Sequence, residues 1–273
     1  MTLLSYDFMR HALLAAVLVG VTAPTVGIYL VQRRLSLIGD GIGHVALAGV
    51  AVGVLTSAAP VLTALAAAVA GATAVELIRA RGRTSGDLAL ALMFYGGIAG
   101  GVVIISQAPG GTPGNLNAYL FGAITTTTAA DLVVFAVLSL AVLAVTLGLG
   151  RYLFAVSNDE EYAVAAGMPV LRLNLLLAVV TAVTVVIAMR VIGLLLISAL
   201  MIVPVASAQL VAGSFRATIV LAVLIGLAVS VAGVTTSYYA DTPSGGTIVL
   251  FAIAVFSVIV ATRAARRALS PSG

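Results

Sequence analysis

The chain has 273 residues, of which 62% are hydrophobic and 8% charged, with a mean hydropathy of +1.24. An average soluble domain carries roughly 25% charged residues, so water is not the main solvent of this fold. The formal charge of +4 comes from arginine without any lysine, and the arginines cluster at the ends of apolar runs, where they mark membrane topology and not a nucleic-acid face. The absence of cysteine excludes a disulfide framework and a thiolate metal cluster.

Apolar runs fall at approximately 9–31, 41–57, 60–79, 87–106, 130–154, 170–189, 191–212, 216–237 and 247–263. Each approaches the ~20 residues that a helix needs to cross the hydrocarbon core. The runs are continuously apolar, unlike the alternating segments of a membrane barrel. They predict an all-α, polytopic membrane protein of about eight to nine transmembrane helices, with room for one re-entrant segment, forming a single transmembrane domain over 1–273. The first run is longer than a signal-peptide core and carries its basic pair, Arg33 and Arg34, after it, so it is expected to stay as an anchor.

With Arg33 and Arg34 cytoplasmic, the groups Arg79/Arg81/Arg83, Arg151/Arg172, Arg216 and Arg263/Arg266/Arg267 share that side. Arg10 and Arg190 fall outside. The expected topology is a cell-membrane protein with its N-terminus outside and its C-terminus cytoplasmic, an exterior loop around Gln107–Asn117 and an acidic cytoplasmic segment over 157–168. The tail from Ser270 is expected to fray.

The glycines at Gly39/Gly43, Gly49/Gly53 and Gly96/Gly97/Gly100/Gly101 have the spacing of close helix packing. Pro24 and Pro204 interrupt hydrogen bonding within apolar runs. Ionisable residues inside spans are costly, which singles out Asp40, His44, Glu76 and Asp241. Asp40 and His44, four apart, share one helix face. They offer a carboxylate oxygen and an imidazole nitrogen, suitable for zinc, manganese or ferrous iron. The structural alternative is an Asp40 that caps the second span and holds His44 by a hydrogen bond. Glu76 is three residues before Arg79, as in a surface ion pair. Asp241, in Tyr238-Tyr239-Ala240-Asp241-Thr242-Pro243-Ser244-Gly245, reads equally as a turn or a broken helix facing a cavity. The segment Asn158–Gly167 reads as a short helix with acids at its positive end and glycine closing it, either a connector or an element that docks into a partner's groove.

Four stretches together resemble the zinc/manganese permease subunits of ABC-type importers. Arg33-Arg34-Leu35-Ser36-Leu37-Ile38-Gly39-Asp40, followed by His44 and Gly49, is similar to that family's signature at the entry to its second span. The acidic segment ending Ala163…Gly167 resembles its ATPase-coupling element. Gly193-Leu194-Leu195-Leu196 through Met201-Ile202-Val203-Pro204 resembles its glycine-to-proline span, and Asp241…Pro243-Ser244-Gly245…Thr247-Ile248-Val249 its last motif. Gly43 stands where the family commonly has serine, and no second pathway histidine follows Asp241.

The resemblance implies an alternating-access permease for divalent transition metals, zinc or manganese, with iron a further cargo. It also implies a separate cytoplasmic ABC ATPase, an extracytoplasmic metal-binding protein and a second permease copy in a homodimer. On this reading Asp40, His44, Asp241 and Glu76 serve the metal path, and Asp159, Glu160, Glu161, Ala163 and Gly167 the ATPase coupling. The metal is cargo and no permanently bound cofactor is expected. The chain is expected to be a transport subunit and not an enzyme, without an ATPase motif of its own, since a chain with no lysine contains no Walker A sequence. The competing reading is an ion-coupled secondary transporter that uses the intramembrane carboxylates as relays. A membrane metalloenzyme is disfavoured, since His11 and His44 are far apart and no HExxH occurs.

Overall fold

The computed structural model describes residues 5–82, 86–107, 116–123, 127–189, 191–194 and 196–269. Arg83, Arg190, most of the Gln107–Asn117 loop and the tail from Ser270 lie outside them. The chain forms α1 (Asp7–Gln32), α2 (Ile38–Leu55), α3 (Pro60–Ala80), α4 (Gly86–Ser106), α5 (Leu116–Phe121) and α6 (Ala129–Gly148), then α7 (Gly150–Asn158), α8 (Glu160–Ala165), α9 (Val170–Ala188), α10 (Ile197–Val211), α11 (Phe215–Ala240) and α12 (Ser244–Leu269). Among the described residues eight of these, all but α5, α7, α8 and α10, are long and apolar enough to span a membrane.

α1 is the most enclosed span and α12 the least. α1 packs against α11 and α10, while α2 packs between α3 and α4, and α3 leans on α9. Buried threonines inside the helices are tolerated because their hydroxyls return to a carbonyl one turn earlier, as Thr25 does to Val21 (2.7 Å), Thr181 to Leu177 (2.7 Å) and Thr184 to Val180 (2.8 Å), which satisfies those donors within an apolar interior.

Two predicted runs are divided. The run over 130–154 breaks at Leu149, where α6 ends and α7 starts, between Gly148 and Gly150. The run over 191–212 opens with irregular backbone at 191–194, and only its second part is the 15-residue α10. Gly193 there has φ +90° and lies against the backbone of Leu120 and Gly122, so a side chain would meet both strain and a clash. The amide of Leu194 donates to the Tyr119 carbonyl (2.9 Å), and the Ser244 hydroxyl donates to the Val191 carbonyl (2.6 Å). Non-helical backbone at this position is therefore satisfied by protein, as membrane burial requires.

The arginines of the described chain gather at one end of the bundle. Arg33 follows α1, Arg79 and Arg81 close α3, Arg151 and Arg172 open α7 and α9, Arg216 opens α11, and Arg263, Arg266 and Arg267 sit in the last turns of α12. Arg10 is near the opposite end, beside the Tyr6–Tyr238 contact, where Asp241 also lies. The two are called the Arg33 end and the Asp241 end below.

Candidate functional site

α2 begins almost without a loop after α1. Arg34 takes a left-handed conformation (φ 57°), and the Leu35 amide folds back to the Leu30 carbonyl (2.9 Å). The N-cap of α2 is Leu37, with no side-chain cap. Asp40 therefore does not cap the helix, contrary to the structural alternative above. It sits in the first turn, where a carboxylate complements the helix dipole. His44 follows one turn later, buried at 8% exposure, with its ring edge-on to Phe94 of α4 at 4.2 Å. Neither hydrogen bond nor ion pair joins Asp40 to His44, so the second half of that alternative is also absent. α4 approaches so closely that a Cβ on Gly97 would lie 2.6 Å from the His44 carbonyl carbon.

The irregular segment before α10 reaches both this pair and the Asp241 end. A Cβ on Gly43 would lie 3.0 Å from the Leu194 carbonyl oxygen, and one on Gly39 2.5 Å from Ser198 Oγ. Ser198 is buried, and its hydroxyl faces the carboxylate of Asp40. At its other end the same segment receives Ser244, three residues after Asp241. Asp241 is the left-handed C-cap of α11 (φ 50°, ψ 45°), a conformation aspartate tolerates. It is exposed and lines a cavity of about 460 Å³ with Ser237, Tyr238 and Thr242. The structure combines the two sequence readings of Asp241: it stands in the turn between α11 and α12, and it lines a cavity. Neither Asp40 nor His44 lines that cavity. Among the described residues no three His, Asp or Glu side chains come together as a metal cluster. Asp241 is thus separate from the Asp40–His44 pair, and residues 191–194 and 196–198 lie between them.

Glu76 lies elsewhere, in a charged cluster at the Arg33 end. Its predicted partner Arg79 is present (2.7 Å), but Glu76 is 3% exposed and also faces Arg33 at 3.8 Å, so the pair is not a surface one. Arg33 reaches on to Glu160 of α8 at 3.3 Å, and Glu160 accepts from Asn174 Nδ2 of α9 (3.2 Å). The guanidinium of Arg33 is buried. Desolvation lowers its pKa, Glu76 and Glu160 oppose that shift, and nearby Arg79 adds to it; arginine nonetheless stays charged at any working pH. Sequence reasoning treats Arg33 as a topology marker and the first residue of the signature before α2, and nothing local separates it from Arg34. Ser198, Phe94 and Asn174 are likewise delivered by tertiary packing.

α8 is built as its sequence suggests. Asp159 caps it by accepting from the Tyr162 amide (2.8 Å). At the other end Gly167 has φ +73°, and the amides of Met168 and Gly167 return to the carbonyls of Ala163 (3.0 Å) and Val164 (3.0 Å), the paired bonds of a Schellman close. Ala163 is fully buried against the bundle, Glu160 enters the charged cluster, and Glu161, Tyr162 and Val164 are exposed.

The bundle of apolar spans, its interrupted helix and the acid and imidazole within α2 define a polytopic membrane protein of the transporter kind. The chain belongs to the ABC 3 transport family, whose model matches residues 5–263. It is 31% identical over 256 residues to the manganese transport system membrane protein MntC of Halalkalibacterium halodurans, covering 94% of this chain and 87% of that one. It is 28% identical to a probable iron transport system membrane protein of Haemophilus influenzae, covering 94% of each. Among solved structures it is similar to PsaBC from Streptococcus pneumoniae in complex with Fab, with a TM-score of 0.84 and 30% identity over 94% of this chain and 92% of that one.

Proposed function

We propose that this chain is the permease subunit of an ATP-driven importer of divalent transition-metal ions, with manganese as its cargo. Zinc and iron are the competing cargoes that an uptake assay separates. The Arg33 end is cytoplasmic, and two permease copies work with a cytoplasmic ATPase and an extracytoplasmic metal-binding protein. Metal enters at the Asp241 cavity, passes along residues 191–198 and is held by Asp40 and His44. Two protein ligands with retained water bind weakly enough for the ion to leave.

The observation that carries this reading is the ion pair that links α8 to the entry of α2. Glu160 of α8 contacts Arg33, and Arg33 leads within seven residues to Asp40. An ATPase that moved α8 would therefore move the turn that positions the metal ligands. Glu76 belongs to this linkage and not to the metal path. Family membership favours ATP-driven transport over the ion-coupled alternative.

Uptake of radiolabelled manganese by the assembled importer tests the proposal. Asp40→Ala and His44→Ala are each expected to abolish uptake while the ATPase still co-purifies. Normal uptake in both variants would sink the path, and proton-driven transport by the purified chain alone would restore the secondary-transporter reading.

A further inference from the structure

A second cavity, of about 550 Å³, opens at the Arg33 end between α1, α6, α7 and α11, away from the metal path and the charged cluster. Its floor is aromatic. Phe154 and Phe215 meet at 4.4 Å with their rings tilted by 53°, and Phe215 meets Tyr29 at 5.9 Å. The Tyr29 hydroxyl is already engaged by the Thr146 carbonyl (3.2 Å), so the floor is fixed and offers no competing donor.

Its polar groups are Arg151 and Arg216, brought from two different helices. Both are exposed, neither makes an ion pair or hydrogen bond to the described residues, and no carboxylate lines the cavity. They stand at the starts of α7 and α11, where the helix dipoles add positive potential. Two unpaired guanidiniums over an aromatic floor fit a phosphate, which arginine recognises by paired hydrogen bonds.

The surroundings select the source of that phosphate. From the cavity wall at Leu147, α6 carries Leu140, Val137 and Val133 along its outer surface, each between 62% and 70% exposed. α11 carries Val220 and Leu224, 57% and 55% exposed. A cationic cup at the end of two apolar ladders matches a molecule with an anionic head and long acyl chains, and basic pockets between spans at the cytoplasmic side commonly hold such headgroups. We propose that this cavity binds the phosphate headgroup of an anionic membrane lipid, with the acyl chains lying along α6 and α11.

Native mass spectrometry of the delipidated full-length protein, offered equimolar phosphatidylglycerol and phosphatidylcholine, tests this. Preferential retention of phosphatidylglycerol is expected. The double variant Arg151→Gln/Arg216→Gln should lower that preference about fivefold per arginine, roughly twenty-five-fold in all. Arg151→Lys/Arg216→Lys should keep most of it, and Arg266→Gln/Arg267→Gln, which loses the same charge at the end of α12, should leave it unchanged. Equal retention of the two lipids by the unsubstituted protein, or equal losses in the two glutamine variants, would overturn the proposal. Displacement of phosphatidylglycerol by millimolar inorganic phosphate would reassign the cup to the free anion. Loss of the co-purifying ATPase with lipid preference intact would assign the arginines to protein docking instead.

Discussion

The guanidinium of Arg33 is 5% exposed and shared between Glu76 and Glu160, whereas the next residue, Arg34, is exposed in left-handed backbone. Breaking a buried pair by removing one partner costs about 3–5 kcal/mol; Glu76 keeps Arg79 and Glu160 is half exposed, so Arg33→Ala should fall at or below about 3 kcal/mol. Arg34→Ala should stay within about 0.5 kcal/mol, as for an exposed side chain without special contacts. Thermal unfolding in detergent separates them, and equal shifts would remove Arg33 from the cluster. Arg33→Ala should also uncouple ATP hydrolysis from uptake although Asp40 and His44 are untouched. At this scale the placing of Asp40 and His44 one turn apart on α2 was legible because helical periodicity puts residues four apart on one face. The role of Arg33 was not, because two adjacent arginines carry the same local signal and only the packing of α3 and α8 distinguishes them.

At the scale of single elements, α8 is six residues long, too short to persist on intrinsic propensity alone. It depends on its two closures and on buried Ala163. Asp159→Ala removes the cap, worth about 1 kcal/mol. Gly167→Ala meets no atom within 4 Å, so its cost is conformational, about 1 kcal/mol or more at φ +73°. Either variant should raise ATP hydrolysis that is not accompanied by metal uptake, while the permease still unfolds near its normal temperature. Undiminished coupling in both would point to a different cytoplasmic contact. The helix was readable because acids followed by glycine are terminal signals. The divided runs were less so. The Gly148-Leu149-Gly150 sequence is the signal for the α6–α7 break, and Gly193 for the irregular segment before α10, yet uniform hydrophobicity across both runs conceals them. Composition reports the solvent around a segment, and a backbone whose hydrogen bonds are met by Tyr119 and Ser244 is as well suited to the membrane interior as a helix.

For the whole molecule, the natural absence of cysteine allows the orientation to be measured directly. Ala165 follows the exposed face of α8 at the Arg33 end, and Ala58, also exposed, lies between α2 and α3 at the opposite end. In intact cells Ala58→Cys should react with a membrane-impermeant maleimide and Ala165→Cys should not. The reverse pattern would invert the proposed topology and place α8 beyond reach of any cytoplasmic ATPase. The gathering of arginines at one end was legible from sequence. Whether Asp241 shares a site with Asp40 and His44 was not legible, because a re-entrant segment would unite them and straight helices would part them, and the segment between them depends on a fold in which α2, α10 and the α11–α12 turn converge.

The cluster of Arg33, Arg79, Glu76 and Glu160 also has an electrical consequence. Moving one elementary charge through the membrane field costs about 2.3 kcal/mol per 100 mV. Two cations and two anions held within 4 Å contacts sum to zero, so they can shift together as α8 turns without doing work against the membrane voltage. On the proposed import reading, the resting potential then acts on the arriving cation and leaves the Arg33–Glu160 linkage electrically silent.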